Sequence, residues 1–143
     1  MTFGCKIIHS MIQRIQSVYL LLAAIASGII IFFLPLFHTQ AGDYMILQDP
    51  IFFGMTVLST LISIFSIFRY KNRQQQVVSG RINIILNFVF FGFLMYMFYD
   101  GMKEGDALGT GAFIPLAVVI LVTLANRGIM KDETMVRAAD RLR

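Results

Sequence analysis

Arg69-Tyr70-Lys71-Asn72-Arg73-Gln74-Gln75-Gln76-Val77-Val78-Ser79-Gly80-Arg81 is the strongly polar interruption near the centre of a very apolar chain. It carries four cations and no acid. Each side of it holds two apolar runs long enough to cross a bilayer. A basic loop between two such pairs faces the cytoplasm, because Lys and Arg are retained on that side. The fold this implies is an all-α membrane protein, a four-transmembrane-helix bundle made of two hairpins.

Composition leads to the same class. Of 143 residues, 57% are hydrophobic and 14% charged, against roughly half and about a quarter in soluble domains. One soluble core of this size could not hide that much apolar surface. The formal charge of +4 does not point to nucleic acid, since the cations flank apolar runs and form no reader motif. Cys5 stands alone, so neither an intrachain disulfide nor an all-cysteine metal site can form.

Outward from the loop, the expected spans are residues 18–37, 51–68, 82–99 and 108–125. About twenty residues at 1.5 Å each reach roughly 30 Å, the thickness of the hydrocarbon core. The first run is too long for the apolar part of a secretory signal, and Pro35 should end it. Pro50 suits the first turn of the second span. Gly109, Gly111 and Pro115 should weaken the start of the fourth. Residues 1–10 differ in character from the rest of the chain and read as an upstream extension, with Met11 opening a coherent helix.

Orientation comes from the cations. Lys6 and Arg14 precede the first span, Arg69, Lys71, Arg73 and Arg81 fill the central loop, and Arg127, Lys131, Arg137, Arg141 and Arg143 lie in the tail. The two outer loops share only Lys103. Both termini are therefore expected in the cytoplasm. Aromatic residues should mark the interfaces, Tyr19 and Tyr70 inside, and Phe37, Tyr44, Phe52, Phe53, Tyr96 and Tyr99 outside.

Association in lipid relies on close packing and interhelical hydrogen bonds. Thr56, Ser59, Thr60, Ser63 and Ser66 share one helical arc, which should meet the Ser17, Ala24 and Gly28 face of the first span. Asn83 and Asn87 should cluster with Thr123 and Asn126. A polar pathway along the hydroxyl arc is the sharper alternative. No acid, base or histidine lies within any expected span, so proton coupling has no carrier there. His38, Asp43 and Asp49 offer at most a weak outer metal site. No nucleotide loop or nucleophile motif is present. The sequence thus supplies no catalytic residue, no cofactor site and no basis for an enzyme.

The tail, residues 126–143, reads as a basic amphipathic cytoplasmic helix loosened at Gly128. Met135, Ala138, Ala139 and Leu142 form its apolar face, and Glu133 and Arg137 are ordered for an i,i+4 pair. Extended straight inward, Arg137, Arg141 and Arg143 would stand roughly 18–27 Å from the membrane. They must then either bend back to lipid or meet a protein.

Met11-Ile12-Gln13-Arg14-Ile15-Gln16-Ser17 followed by Tyr19-Leu20-Leu21-Leu22-Ala23, with the ending Leu124-Ala125-Asn126-Arg127, Lys131-Asp132-Glu133, Val136-Arg137 and Ala139-Asp140-Arg141-Leu142-Arg143, resembles a family of small four-span bacterial membrane proteins catalogued as a domain of unknown function. The resemblance covers about residues 11–143. It implies a bacterial inner-membrane location and no activity. The expected role is a non-enzymatic accessory or scaffold protein that contacts a membrane or cytoplasmic protein partner, or anionic lipid, through its basic face. The candidate contact residues are Arg14, Arg69, Lys71, Arg73, Arg81, Arg127, Lys131, Arg137, Arg141 and Arg143; Ser63, Asn83, Asn87 and Asn126 are candidate packing residues. The alternative is a small transporter or channel working as a homo-oligomer.

Overall fold

The computed structural model describes residues 2–69, 71–101 and 105–142. Tyr70, Lys103 and Arg143 lie outside the described residues. The chain is mostly helical. α1 (Thr2–Ile25) passes through one π-helical turn, Ala26–Ile30, into a last turn, α2 (Ile31–Phe33). Two short strands come next, β1 (Phe37–Thr39) and β2 (Gly42–Tyr44), then α3 (Pro50–Phe68) and α4 (Arg73–Gly101). β3 (Ala107–Leu108) and a 3₁₀ turn lead into α5 (Ile114–Arg141). Four helices are long and apolar enough to cross a membrane, over Arg14–Phe33, Pro50–Phe68, Arg73–Gly101 and Thr110–Arg141. α1 packs on α3 and α5, and α4 on α3 and α5.

The distribution of polarity across α3 is inverted. Of the five buried residues of α3, four are hydroxyls, Thr56, Ser59, Ser63 and Ser66, while Leu58, Leu61, Phe65 and Phe68 are exposed. Leu21, Ile85, Val89 and Ile120 are exposed on the other helices. Water would select the opposite arrangement; an apolar solvent selects this one, because polar side chains must find partners among themselves.

The expected boundaries change in three places. The polar stretch 69–81 is mostly helix, since α4 begins at Arg73. Arg and Gln are good helix formers, and the Asn72 carbonyl, just ahead of α4, accepts from the Gln76 N–H at 3.1 Å. The first helix stops at Phe33, two residues before Pro35, so Phe37 is in a strand. The fourth begins at Ile114, with Gly109 and Gly111 ahead of it. There is also no loosening at Gly128, because α5 is continuous to Arg141.

A further departure from an all-α fold is a three-stranded antiparallel sheet, in the order β2-β1-β3. Phe37 pairs with both Tyr44 and Leu108. The sheet lies over a core of Ile31, Leu36, Phe37, Ile46, Phe52, Phe90, Leu94 and Ala112. Phe37 and Phe52, expected at the interface, are therefore core residues. Phe52 meets Phe90 and Phe93 with ring centroids 5.6 and 5.4 Å apart. This end is cross-linked by backbone as well: the Gly109 N–H donates to the Leu36 carbonyl and that of Gly111 to the Pro35 carbonyl, each at 2.9 Å.

The first span meets the second through Gly28. A Cβ at Gly28 would lie 2.8 Å from Thr60 Cγ2, and the Ser27 hydroxyl is 3.1 Å from that of Thr60. Gly28→Leu should therefore separate α1 from α3 and lower stability by about 1–3 kcal/mol. Thermal unfolding in mild detergent measures this, and an unchanged midpoint would show that Gly28 packs more loosely than its geometry implies.

Candidate functional site

The most unusual chemistry lies where α4 begins and α5 leaves its apolar stretch. The buried face of α5 runs through Val118, Val122, Ala125, Asn126 and Ile129 to Asp132. This three- and four-residue spacing keeps one helical face turned inward. At its end Asp132 Oδ2 lies 2.9 Å from Arg73 Nη1, with side-chain exposures of 3% and 24%. The approach is close enough for an ion pair. It ties the first turn of α4 to the seventh residue of the tail. Gln76, one turn along α4, is buried as well.

Two other contacts join this end. Gln16 of α1 is buried against Gly128, where a Cβ would stand 3.1 Å from Gln16 Cγ. Asn126 fills the space beside Gly80, where a Cβ would meet Asn126 Oδ1 at 2.3 Å. Gln16 Nε2 and Asn126 Oδ1 have no hydrogen-bond partner among the described residues.

Asn83 and Asn87 do not join Thr123 and Asn126. They join α3 instead. Ser59 Oγ donates to Asn83 Oδ1 at 2.8 Å, Asn83 Nδ2 donates to Ser63 Oγ at 2.7 Å, and Asn87 Nδ2 donates to Ser59 Oγ at 2.9 Å. Thr123 bonds its own helix, donating to the Val119 carbonyl at 2.7 Å. Much of the hydroxyl arc thus meets α4, while Thr60 turns to Ser27 of the first span. The reason is reach: an asparagine amide spans the gap between helices, whereas a threonine hydroxyl back-bonds to the preceding turn.

The basic residues gather around the α3–α4 turn and the tail, but their settings differ. Arg69 lies 5.0 Å from the Phe65 ring centroid and donates to the Gln75 side-chain carbonyl. Arg73 is drawn into the Asp132 pair. Arg81 approaches Met130 Sδ at 4.0 Å. Arg137 pairs with Glu133 at 2.5 Å. Arg14, Lys71, Arg127, Lys131 and Arg141 are exposed. Lys71, Arg73, Glu133 and Arg137 line a cleft of about 530 Å³ between the α3–α4 turn and the tail. The apolar face of the tail stays exposed, Met135 at 51% and Leu142 at 90%.

Sequence reasoning missed Asp132, Gln16 and Gln76. Continuing the α5 periodicity past Ala125 would have reached Asp132. Nothing comparable marks Gln16 or Gln76.

At the opposite end the three candidate metal ligands serve other purposes. His38 Nδ1 is 2.7 Å from Asp43 Oδ1. Asp49 caps α3, accepting from the Ile51 N–H at 2.9 Å. Tyr44 is held above the usual phenol pKa, first by burial and then by the Asp49 carboxylate. Among the described residues no three metal-ligating side chains converge.

No curated protein and no solved structure matches this chain. One family does, described as "Domain of unknown function (DUF4293)", and the match covers residues 12–142. That range takes in all four long helices, both ends of the Arg73–Asp132 pair and nearly the whole tail, so the chain belongs to the DUF4293 family.

Proposed function

We propose that this protein is a non-enzymatic accessory or scaffold of the bacterial inner membrane, a four-helix bundle with both termini in the cytoplasm. Its basic cytoplasmic face meets a protein partner or anionic lipid. One observation carries the choice over a transporter or channel. The hydroxyls that would line a polar path are used within the protein: Ser59 and Ser63 bond to Asn83 and Asn87, and Ser63 is wholly buried. Interhelical bonds of this kind hold helices together in lipid, each contributing about 0.6 kcal/mol on average.

The longest exposed stretch of that face is the end of α5. Beyond Asp132 its residues are exposed but for the partly covered Glu133, and they carry Arg137 and Arg141 on one side and Met135, Ala138 and Leu142 on the other. A helix with one apolar and one cationic side suits a shallow groove with an acidic rim.

Deleting residues 135–143 tests this reading. The cut falls beyond Asp132, so the pair with Arg73 survives. Insertion and thermal stability should stay close to those of the full chain, while complementation of a null strain and co-purification of a partner in mild detergent are lost. Full complementation by the truncated chain would reduce the tail to a topology signal and remove the scaffold reading.

A further inference from the structure

Two adjoining hollows lie between the end of α3 and the start of α4, and both are lined in part by Phe65 and Ser79. The larger, about 640 Å³, is walled by Leu61, Ile64, Phe65, Phe68 and Ile82. The smaller, about 420 Å³, ends at Arg69, Gln74 and Gln75. An apolar trough thus opens directly onto a guanidinium.

We propose that this groove is a site for one anionic phospholipid, with an acyl chain along the α3–α4 trough and the phosphate on Arg69. The assignment rests on the membrane reading above and deepens it by naming a ligand and a place. From Leu61 to Phe68 the trough runs along about two helical turns, roughly 10 Å, on a stretch where lipid is the surrounding solvent. Charge complementarity selects the lipid. Arg69 is preorganised by its stacking on Phe65 and its bond to Gln75. A guanidinium has five N–H donors in a planar fork, so the donors not aimed at Gln75 can grip phosphate oxygens in pairs. The first turn of α4 adds the positive end of its helix dipole beside the same mouth. A neutral acyl lipid would gain only the trough. A zwitterionic one would bring an ammonium toward Arg69.

The test uses the full chain, delipidated in mild detergent and titrated with phosphatidylglycerol or phosphatidylcholine, with bound lipid counted by native mass spectrometry. One phosphatidylglycerol per chain should be retained, about tenfold more tightly than phosphatidylcholine, because Arg69 can donate to either phosphate but only phosphatidylglycerol leaves the headgroup a net negative charge. Arg69→Gln should bring phosphatidylglycerol down to the phosphatidylcholine level. Ile82→Trp, which fills the trough and leaves every charge in place, should weaken both lipids, with its helicity checked by circular dichroism. Unchanged phosphatidylglycerol retention in folded Arg69→Gln or Ile82→Trp would overturn the site. So would disulfide cross-linking of lipid-free copies through Ile64→Cys, which would give the groove to a second chain. The membrane orientation is read separately, outside the groove: Asn72→Cys, in the exposed α3–α4 turn, should resist an impermeant thiol reagent in intact cells. Labelling there would sink the cytoplasmic reading without touching the lipid counts.

Discussion

Asp132→Ala should cost about 3 kcal/mol of stability, and Arg73→Met somewhat more. Breaking a buried ion pair by removing one partner typically costs about 3–5 kcal/mol, because the other charge is left without compensation. The two sides are unequal here. Arg73 keeps 24% of its side-chain surface exposed and Asp132 only 3%. With Asp132 removed, Arg73 can turn toward solvent, whereas the buried Asp132 carboxylate has no such freedom when Arg73 is removed. The double variant Arg73→Met with Asp132→Leu should recover most of the loss, since a packed apolar pair of similar volume avoids the desolvation of both ions. Unfolding of all four proteins in one detergent gives the coupling, and trypsin sensitivity at Arg127 and Lys131 reports whether the tail has lifted. A coupling below about 0.5 kcal/mol would place the pair among ordinary surface ion pairs.

Gly109→Ala should be comparably severe for an unrelated reason. Gly109 has φ −75°, so the backbone accepts an alanine; the obstacle is space. The new Cβ would stand 2.1 Å from the Pro35 carbonyl oxygen and 2.8 Å from its carbon. Both atoms are main chain, so no rotamer change relieves the clash. The segments must part, which strains or breaks the bonds from Gly109 to Leu36 and from Gly111 to Pro35. Overpacking and lost bonds together should cost about 3 kcal/mol. Gly92→Ala is the matched control. It sits in α4 with nothing within 4 Å of the added carbon, and alanine is the better helix former by about 1 kcal/mol. Opposite shifts in unfolding midpoint are expected, and a Gly109→Ala protein as stable as the parent would show that the strand end yields easily.

The four long helices were legible because hydropathy acts over about twenty residues, and errors at single positions average out. Their ends were not. Residues 73–81 read as loop because Arg and Gln lower hydropathy, yet the same residues are content in a helix. The sheet was hidden by its brevity: strands of two and three residues are too short for alternation to register. Phe37 and Phe52 suit an interface by residue type, whereas the strands above them seal that end and make them core. In the candidate site the hydroxyl arc is legible as a packing face, but its partner is not the simple one expected. Single-helix periodicity says which residues share a side, and only the side-chain lengths of Asn83 and Asn87 decide which neighbour they reach. Asp132 went unread because a charged residue beyond a span is ordinarily solvated.

The placement of β1 has a bearing on the order in which the protein is completed. Phe37 pairs on one side with Tyr44, made almost at once, and on the other with Leu108, which emerges some seventy residues later. Until then β1 and β2 form only a two-stranded ribbon, marginal in isolation, with an open edge able to pair with another chain. Asp132 arrives later still. The two ends of the molecule therefore close last, and the strand end closes before the charged end. A chain cut short before residue 107 carries its first hairpin with a bare strand edge, a lasting mark by which an unfinished copy differs from a finished one.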